Sequence, residues 1–290
     1  MRLLSAADHR LVTQFQLAIH RHASGLASGE QRSPALGGGI EFADYREYHP
    51  GDDVRQIDWA VFLRFHKLLV KLAAEEKDLT LMILLDNSRS MNYGKPDKFR
   101  RACQIAAVLA GIALESGNSA GIATWGDELR ESIRPLRGSR NLSWVCHSLE
   151  NLPLVTSVNA AHCVRQFANH YGRNCLTVMI SDFLFPDWEA AMAGLGHGPS
   201  DTHIIQILAP AELQPGQQGE VCLVDMENAQ ETPLHIDLAT LNAYQRELSA
   251  HQVAIRNQCR QRGIFHHQIS SANELIQVFQ NHLLPGGLVC

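Results

Sequence analysis

Residues 79–85 read LTLMILL, a run with only one threonine among its apolar side chains, and it stops at Asp86. A strand with no polar face cannot lie on a surface; it fits the centre of a sheet covered on both sides. Four more runs read as its neighbours: SAGIATW (119–125), CLTVMIS (175–181), THIIQIL (202–208) and IFHHQIS (264–270). Amphipathic segments alternate with them. DKFRRACQIAAVLAGIALESG (97–117) has Asp97 as N-cap, a 3.6-period apolar stripe and Gly117 as stop. NLSWVCHSLENL (141–152), NAAHCVRQFANHYG (159–172, capped by Asn159) and LNAYQRELSAHQVAIRNQCRQRG (241–263) follow the same pattern, and Ser271 to Glu274 has the spacing of a capping box. Strands alternating with helices predict an α/β fold: a doubly wound, mostly parallel sheet with helices on both faces. Two extended runs around a polar turn predict a hairpin insertion near 219–237.

The first 78 residues differ in character. A Gly/Ser-rich link, GLASGEQRSPALGGG, separates an amphipathic helix at about 6–22 from a compact charged segment. The expected division is therefore an extension at 1–78 and a sheet domain at 79–290. A net charge of −5 gives no general attraction to nucleic acid or anionic lipid. Seven scattered cysteines without a Cys-x-x-Cys pair suggest neither a disulfide framework nor a zinc knuckle. No stretch approaches the roughly 18 apolar residues of a membrane span, and the N-terminus has no apolar signal core, so the expected location is cytoplasmic.

Ligands of open α/β sheets gather at the carboxyl ends of the strands, which is where Asp86 falls. Asp86, Ser88 and Ser90 offer one carboxylate and two hydroxyls, hard oxygen ligands that suit Mg²⁺ better than zinc. Asp182, after Ser181 at the end of another apolar strand, supplies a second acid at the same edge. With few carboxylates around it, such an ion stays electrophilic and gains from an acid donated by a partner.

Asp86-x-Ser88-x-Ser90-Met91 with Asp182 resembles the metal-ion-dependent adhesion site of von Willebrand factor A domains, and the element order resembles theirs over roughly 79–290. The upstream EFADYREYHPGDDVRQIDW is similar to the signature of the bacterial domain of unknown function 58 family. That resemblance implies a chaperone-like adaptor working with a MoxR-type AAA+ ATPase. A domains also place a threonine ligand before the helix that follows their second or third strand. Here RGSRNLSW offers Ser139, Asn141 or Ser143, and the helix stripe at Leu149 favours Ser143.

In the charged signature, Pro50-Gly51 reads as a type II turn, and Asp52, Asp53 and Asp58 crowd around Arg55 with Arg46 and Glu47 nearby. An internal network of arginine–carboxylate forks is the expected arrangement, and a second metal site or a catalytic carboxylate pair is the alternative. Trp59 fits a core position or an exposed anchor. His266 and His267 are neighbours in a strand and point to opposite faces, so they do not form a metal pair. The Walker pattern fails because Arg89 stands where it needs glycine, and an EF-hand fails at Met91. No catalytic residue is assigned. The competing enzymatic reading is a Mg²⁺-dependent phosphatase with Asp86 as nucleophile, weakened because Ser88 stands where such enzymes carry an acid.

Overall fold

The computed structural model describes residues 3–18, 42–49, 54, 57–73, 79–126, 128–156, 159–171, 175–195, 201–216, 218–226 and 230–290. They fall in two compact units, one within 23–78 and the other made of 1–22 with 79–290. Helix α1 (Ala6–Gln14) thus belongs with the sheet and not with the extension, and it is shorter than the sequence suggests. In the smaller unit, β1 (Phe42–Glu47) and β2 (Leu69–Ala73) pair antiparallel, with α2 (Trp59–Phe65) between them in sequence. Asp58 is the N-cap of α2: its Oδ1 accepts the N–H of Ala60 (2.9 Å) and of Val61 (3.2 Å). Trp59, the first residue of that helix, is exposed. Asp52, Asp53, Arg55, the Pro50-Gly51 turn and the Arg46 side chain lie outside the described residues.

The larger unit continues with β3 (Thr80–Leu85), α3 (Lys98–Glu115), β4 (Ser119–Thr124), β5 (Arg130–Arg137), α4 (Leu142–Glu150), α5 (Ala160–Tyr171) and β6 (Cys175–Ser181). It ends with α6 (Trp188–Ala193), β7 (Thr202–Leu208), α7 (Pro210–Leu213), β8 (Gly219–Val224), β9 (Glu231–Ile236), α8 (Leu238–Arg262), β10 (Phe265–Ser270) and α9 (Leu275–Val278). Among the described residues the main sheet has the order β10-β7-β6-β3-β4-β5, parallel except for β5, while β8 and β9 form the expected hairpin.

Alternation along β3 explains why LTLMILL has no polar face. Leu81, Ile83 and Leu85 enter a core with α1, α3 and α4, and Met82 and Leu84 enter a second core with α5, α6 and α8. Helices therefore cover both faces, and the doubly wound, mostly parallel α/β class is borne out. Asp97 caps α3 through the Arg100 N–H (2.6 Å), and Gly117 leaves the helix at φ 77°, the left-handed region that glycine enters without a Cβ clash. Ser271 does not cap α9; Glu274 holds the N-cap position, and the Ser271 hydroxyl donates to the Pro96 carbonyl at 2.8 Å. No helix among the described residues is long and apolar enough to cross a membrane.

Strand β5 was not legible as a strand. Its residues RESIRPLR are mostly exposed, as an edge position allows, and its single buried side chain is Ile133. Because it runs antiparallel to β4, with Ser119 opposite Arg137, it returns the chain to the amino-terminal edge of the sheet before α4 begins.

Candidate functional site

Strands β3 and β6 are adjacent and parallel, with Leu85 opposite Ile180, so their carboxyl ends deliver Asp86 and the Ser181-Asp182 pair side by side. The Asp86 N–H donates to the Ile180 carbonyl (2.9 Å), which carries the sheet register into the loop. Asp86 is 1% exposed. Its Oδ1 accepts the Ser88 N–H (2.9 Å), the Ser88 hydroxyl (2.6 Å) and the indole N–H of Trp125 (2.9 Å); its Oδ2 accepts the Ser181 hydroxyl (2.6 Å). Since the Ser88 proton goes to Asp86, the Ser90 hydroxyl 2.9 Å away donates to Ser88. Burial, then the neighbouring charge of Asp182, push the Asp86 carboxyl up to about 6.

Asp182 anchors its Oδ1 on the Leu184 N–H (3.0 Å), while Oδ2 takes the ammonium of Lys98 at 2.6 Å. Phe183 between them adopts φ 58°, a conformation that bulky residues rarely enter. Lys98, 1% exposed at the first position of α3, also pairs with Glu212 of α7. Burial disfavours its charge, yet Asp182 and Glu212 together hold the ammonium above its ordinary range. Neither Lys98 nor Glu212 was singled out from the sequence. Lys98 carried a signal, because a cation in the first turn of a helix opposes the macrodipole and needs a local reason; Glu212 carried none.

The structure thus brings Asp86, Ser88, Ser90 and Asp182 to one place, and Ser90, Asp182, Lys98 and Glu212 all line one groove. It does not bring Ser143. That residue is exposed on α4 beside Leu142, whose side chain packs against Gly111, thirteen residues and therefore ~20 Å along α3 from Lys98. The antiparallel course of β5 is the reason: α4 starts at the far edge of the sheet, and only its carboxyl end returns to Asp86. The loop that returns contains Thr156, which the sequence reading missed. Val155 forms a bridge with Ser88, its N–H donating to the Asn87 carbonyl (2.9 Å) and its carbonyl accepting from the Arg89 N–H (3.0 Å). That places the backbone of Thr156 next to the serine loop. A threonine in the loop before the helix capped by Asn159 was the available signal.

The donor set fits a hard cation. It consists of hydroxyl and carboxylate oxygens with no nitrogen or sulfur ligand, and among the described residues Asp86 Oδ2 accepts only one hydrogen bond. Among the described residues no three His, Cys, Asp or Glu side chains converge as a metal-binding group, so the hydroxyls would have to do much of the holding. Lys98 is the feature that resists, since it already places a positive charge on Asp182.

The chain is 24% identical over 251 residues to uncharacterised proteins of Mycobacterium bovis and Mycobacterium tuberculosis, an alignment covering 84% of this chain and 79% of theirs. Among solved structures it is similar to BatB, a conserved hypothetical protein of Bacteroides thetaiotaomicron, with 11% identity, 64% of this chain and 98% of that one covered, and a TM-score of 0.37. It is also similar to the SpRpn10 VWA domain, with 17% identity, 44% and 75% covered, and a TM-score of 0.34. The family model described as protein of unknown function DUF58 matches residues 44–254, more than half of the chain, and the protein belongs to that family.

Proposed function

We propose that this protein is a metal-dependent protein-binding adaptor, in which Asp86, Ser88, Ser90 and Asp182, with Thr156 beside them, hold a Mg²⁺ ion that receives an acidic side chain of a partner. The observation that carries this reading is the convergence of two strand-end acids and two paired hydroxyls, of which Asp182 and Ser90 line the groove while Asp86 and Ser88 are buried behind them. When bound, the ion would supply positive charge and open coordination positions for a carboxylate. The chain's own residues do the rest. Trp125 and Ser181 fix the Asp86 carboxylate, Ser90 is oriented through Ser88, and Lys98 tempers the negative charge of Asp182 and Glu212. The partner we propose is the MoxR-type AAA+ ATPase implied by the sequence resemblance, with the chain acting in a chaperone-like assembly or maturation system in the cytoplasm.

The phosphatase alternative gains nothing from the geometry: the side chain two residues after Asp86, where such an enzyme needs an acid/base, is the Ser88 hydroxyl, and it donates to Asp86 itself at 2.6 Å. The test is a calorimetric Mg²⁺ titration of the wild type and Asp86→Asn, followed by association with the ATPase in Mg²⁺ and in chelator. Asparagine is preferred to alanine because its carbonyl oxygen keeps an acceptor for the Trp125 and Ser88 donors, whereas alanine would leave all of them without one. Saturable binding lost in the variant, with association that needs the ion, is expected; association that persists in chelator overturns the docking mechanism.

A further inference from the structure

The groove that contains Ser90, Lys98 and Asp182 encloses about 440 Å³, and its opposite wall is apolar. That wall is the β8–β9 hairpin. Val221 lies opposite Leu234 and Gly219 opposite Ile236, so Val221, Leu223, Leu234 and Ile236 share one face. Glu220, Cys222, Pro233 and His235 share the other, where His235 Nδ1 and Glu220 Oε1 are hydrogen-bonded at 2.9 Å. The hairpin is amphipathic, and Leu223, Leu234 and Ile236 of its apolar face line the groove. Leu223 is nevertheless 51% exposed and Leu234 37% exposed. A two-stranded ribbon is marginal in water without something to cover its apolar face. Tyr244 of α8, also exposed, closes the same wall.

Charge at the floor selects the occupant. Asp182 and Glu212 at the floor, with Asp86 buried behind them, outweigh Lys98, so a carboxylate is repelled there until a divalent cation cancels the excess negative charge and offers it a coordination position. We propose that the groove binds a peptide segment of a partner protein in which one acidic side chain is flanked by apolar ones, the acid at the ion site and its neighbours against Leu223, Leu234 and Tyr244. A peptide fits better than a small enclosed ligand because the apolar side chains that line the groove stay open to solvent, Leu223, Leu234 and Tyr244 being 51%, 37% and 38% exposed. The inference rests on the reading of the site as a divalent-cation site. It adds that specificity lies in the hairpin, and that ion and peptide bind with reciprocal coupling.

The test uses the full chain and fluorescently labelled nonapeptides, each with one central aspartate flanked by Leu, Ile, Met or Phe, beside a matched set with asparagine. Anisotropy is read in Mg²⁺ and in chelator for the wild type, Leu223→Ser and Leu234→Ser; serine leaves the charge of the floor unchanged. Circular dichroism and calorimetric Mg²⁺ binding are measured on the same proteins. Expected are aspartate peptides that bind in Mg²⁺, at least tenfold weaker binding for the asparagine set and in chelator, and at least tenfold weaker binding in both hairpin variants with their Mg²⁺ affinity kept. Hairpin variants that bind as tightly as wild type, or aspartate peptides no better than asparagine ones on a protein that binds Mg²⁺, overturn the proposal. A wild type that binds no Mg²⁺ overturns instead the ion site on which it rests.

Discussion

Lys98 decides how the site behaves before any partner arrives. Its ammonium, buried between Asp182 and Glu212, is a resident cation at the place where a divalent ion would draw on Asp182. Removing one partner of a buried pair costs about 3–5 kcal/mol because the remaining charge stays uncompensated. Lys98→Met should therefore melt earlier than wild type in chelator, bind Mg²⁺ at least tenfold more tightly, and recover more stability on adding it. Calorimetry and thermal melts with and without the ion check this, and an unchanged Mg²⁺ affinity would remove Lys98 from the account. A second buried charge question sits on β10. Burial, then His267 and Arg256, lower His266 to about 4. An unfolded histidine titrates near 6.5, so between about 6.5 and 4 the unfolded chain binds the extra proton and stability falls as pH falls. Over that window His266 should account for a loss of up to about 3 kcal/mol. Asp86, raised to about 6, works in the opposite direction, so the clean measurement is the difference between wild type and His266→Gln in urea midpoints from pH 7 to 4. Parallel pH profiles would refute the assignment. The acids and serines of the loop were legible because motif spacing is local. Lys98 and Glu212, which meet across 114 positions of sequence, were not.

At the level of elements, the strands and helices with a strong period were readable, and the failures share one cause. The strand β5 has neither an apolar run nor a clean alternation, because an edge strand buries little, and without it nothing in the sequence shows that α4 begins at the amino-terminal edge of the sheet. Ser143, the hydroxyl expected beside Asp86, accordingly lies away from it, while the Val155–Thr156 loop comes beside Ser88. Gly121 shows how closely β5 is seated: a Cβ there would stand 2.7 Å from Met82 Sδ, 3.1 Å from the Pro135 nitrogen and 3.2 Å from the Ile133 carbonyl oxygen. The last two contacts are backbone of β5 itself, which cannot yield as a flexible side chain can. Gly121→Ala should therefore destabilise by about 1–3 kcal/mol, the usual cost of overpacking, despite alanine's lower backbone entropy in the unfolded state. Urea unfolding measures it. A midpoint equal to or above that of the wild type would mean that β5 has room to move away from β4 without loss.

At the scale of the whole molecule, the boundary between residues 78 and 79 was drawn from composition, and composition does not report contacts made across a hundred positions. Val12 of α1 packs where a Cβ on Gly111 of α3 would reach, at 2.8 Å, and the Gln104 amide donates to the Leu3 carbonyl at 3.0 Å. Beyond α1 the chain pairs with the carboxyl terminus, Gln16 and Cys290 exchanging backbone hydrogen bonds of 3.0 and 2.9 Å. Leu3, Leu4, Leu11, Val12 and Leu17 are all buried in this way. At about 1.5–3 kcal/mol for each fully buried side chain, their loss is comparable with the roughly 5–15 kcal/mol that holds a typical domain together. A protein lacking residues 1–18 should therefore lose the cooperative urea transition of the full chain, or show it at a much lower midpoint, in near-ultraviolet dichroism and tryptophan fluorescence. A synthetic peptide of residues 1–18, added in trans, should restore part of the transition, because the covering on α3 would again be complete. An unchanged midpoint in the truncated protein would mean that the sheet domain is self-sufficient without residues 1–18. The α1 contacts would then be an addition to a finished core and not part of it.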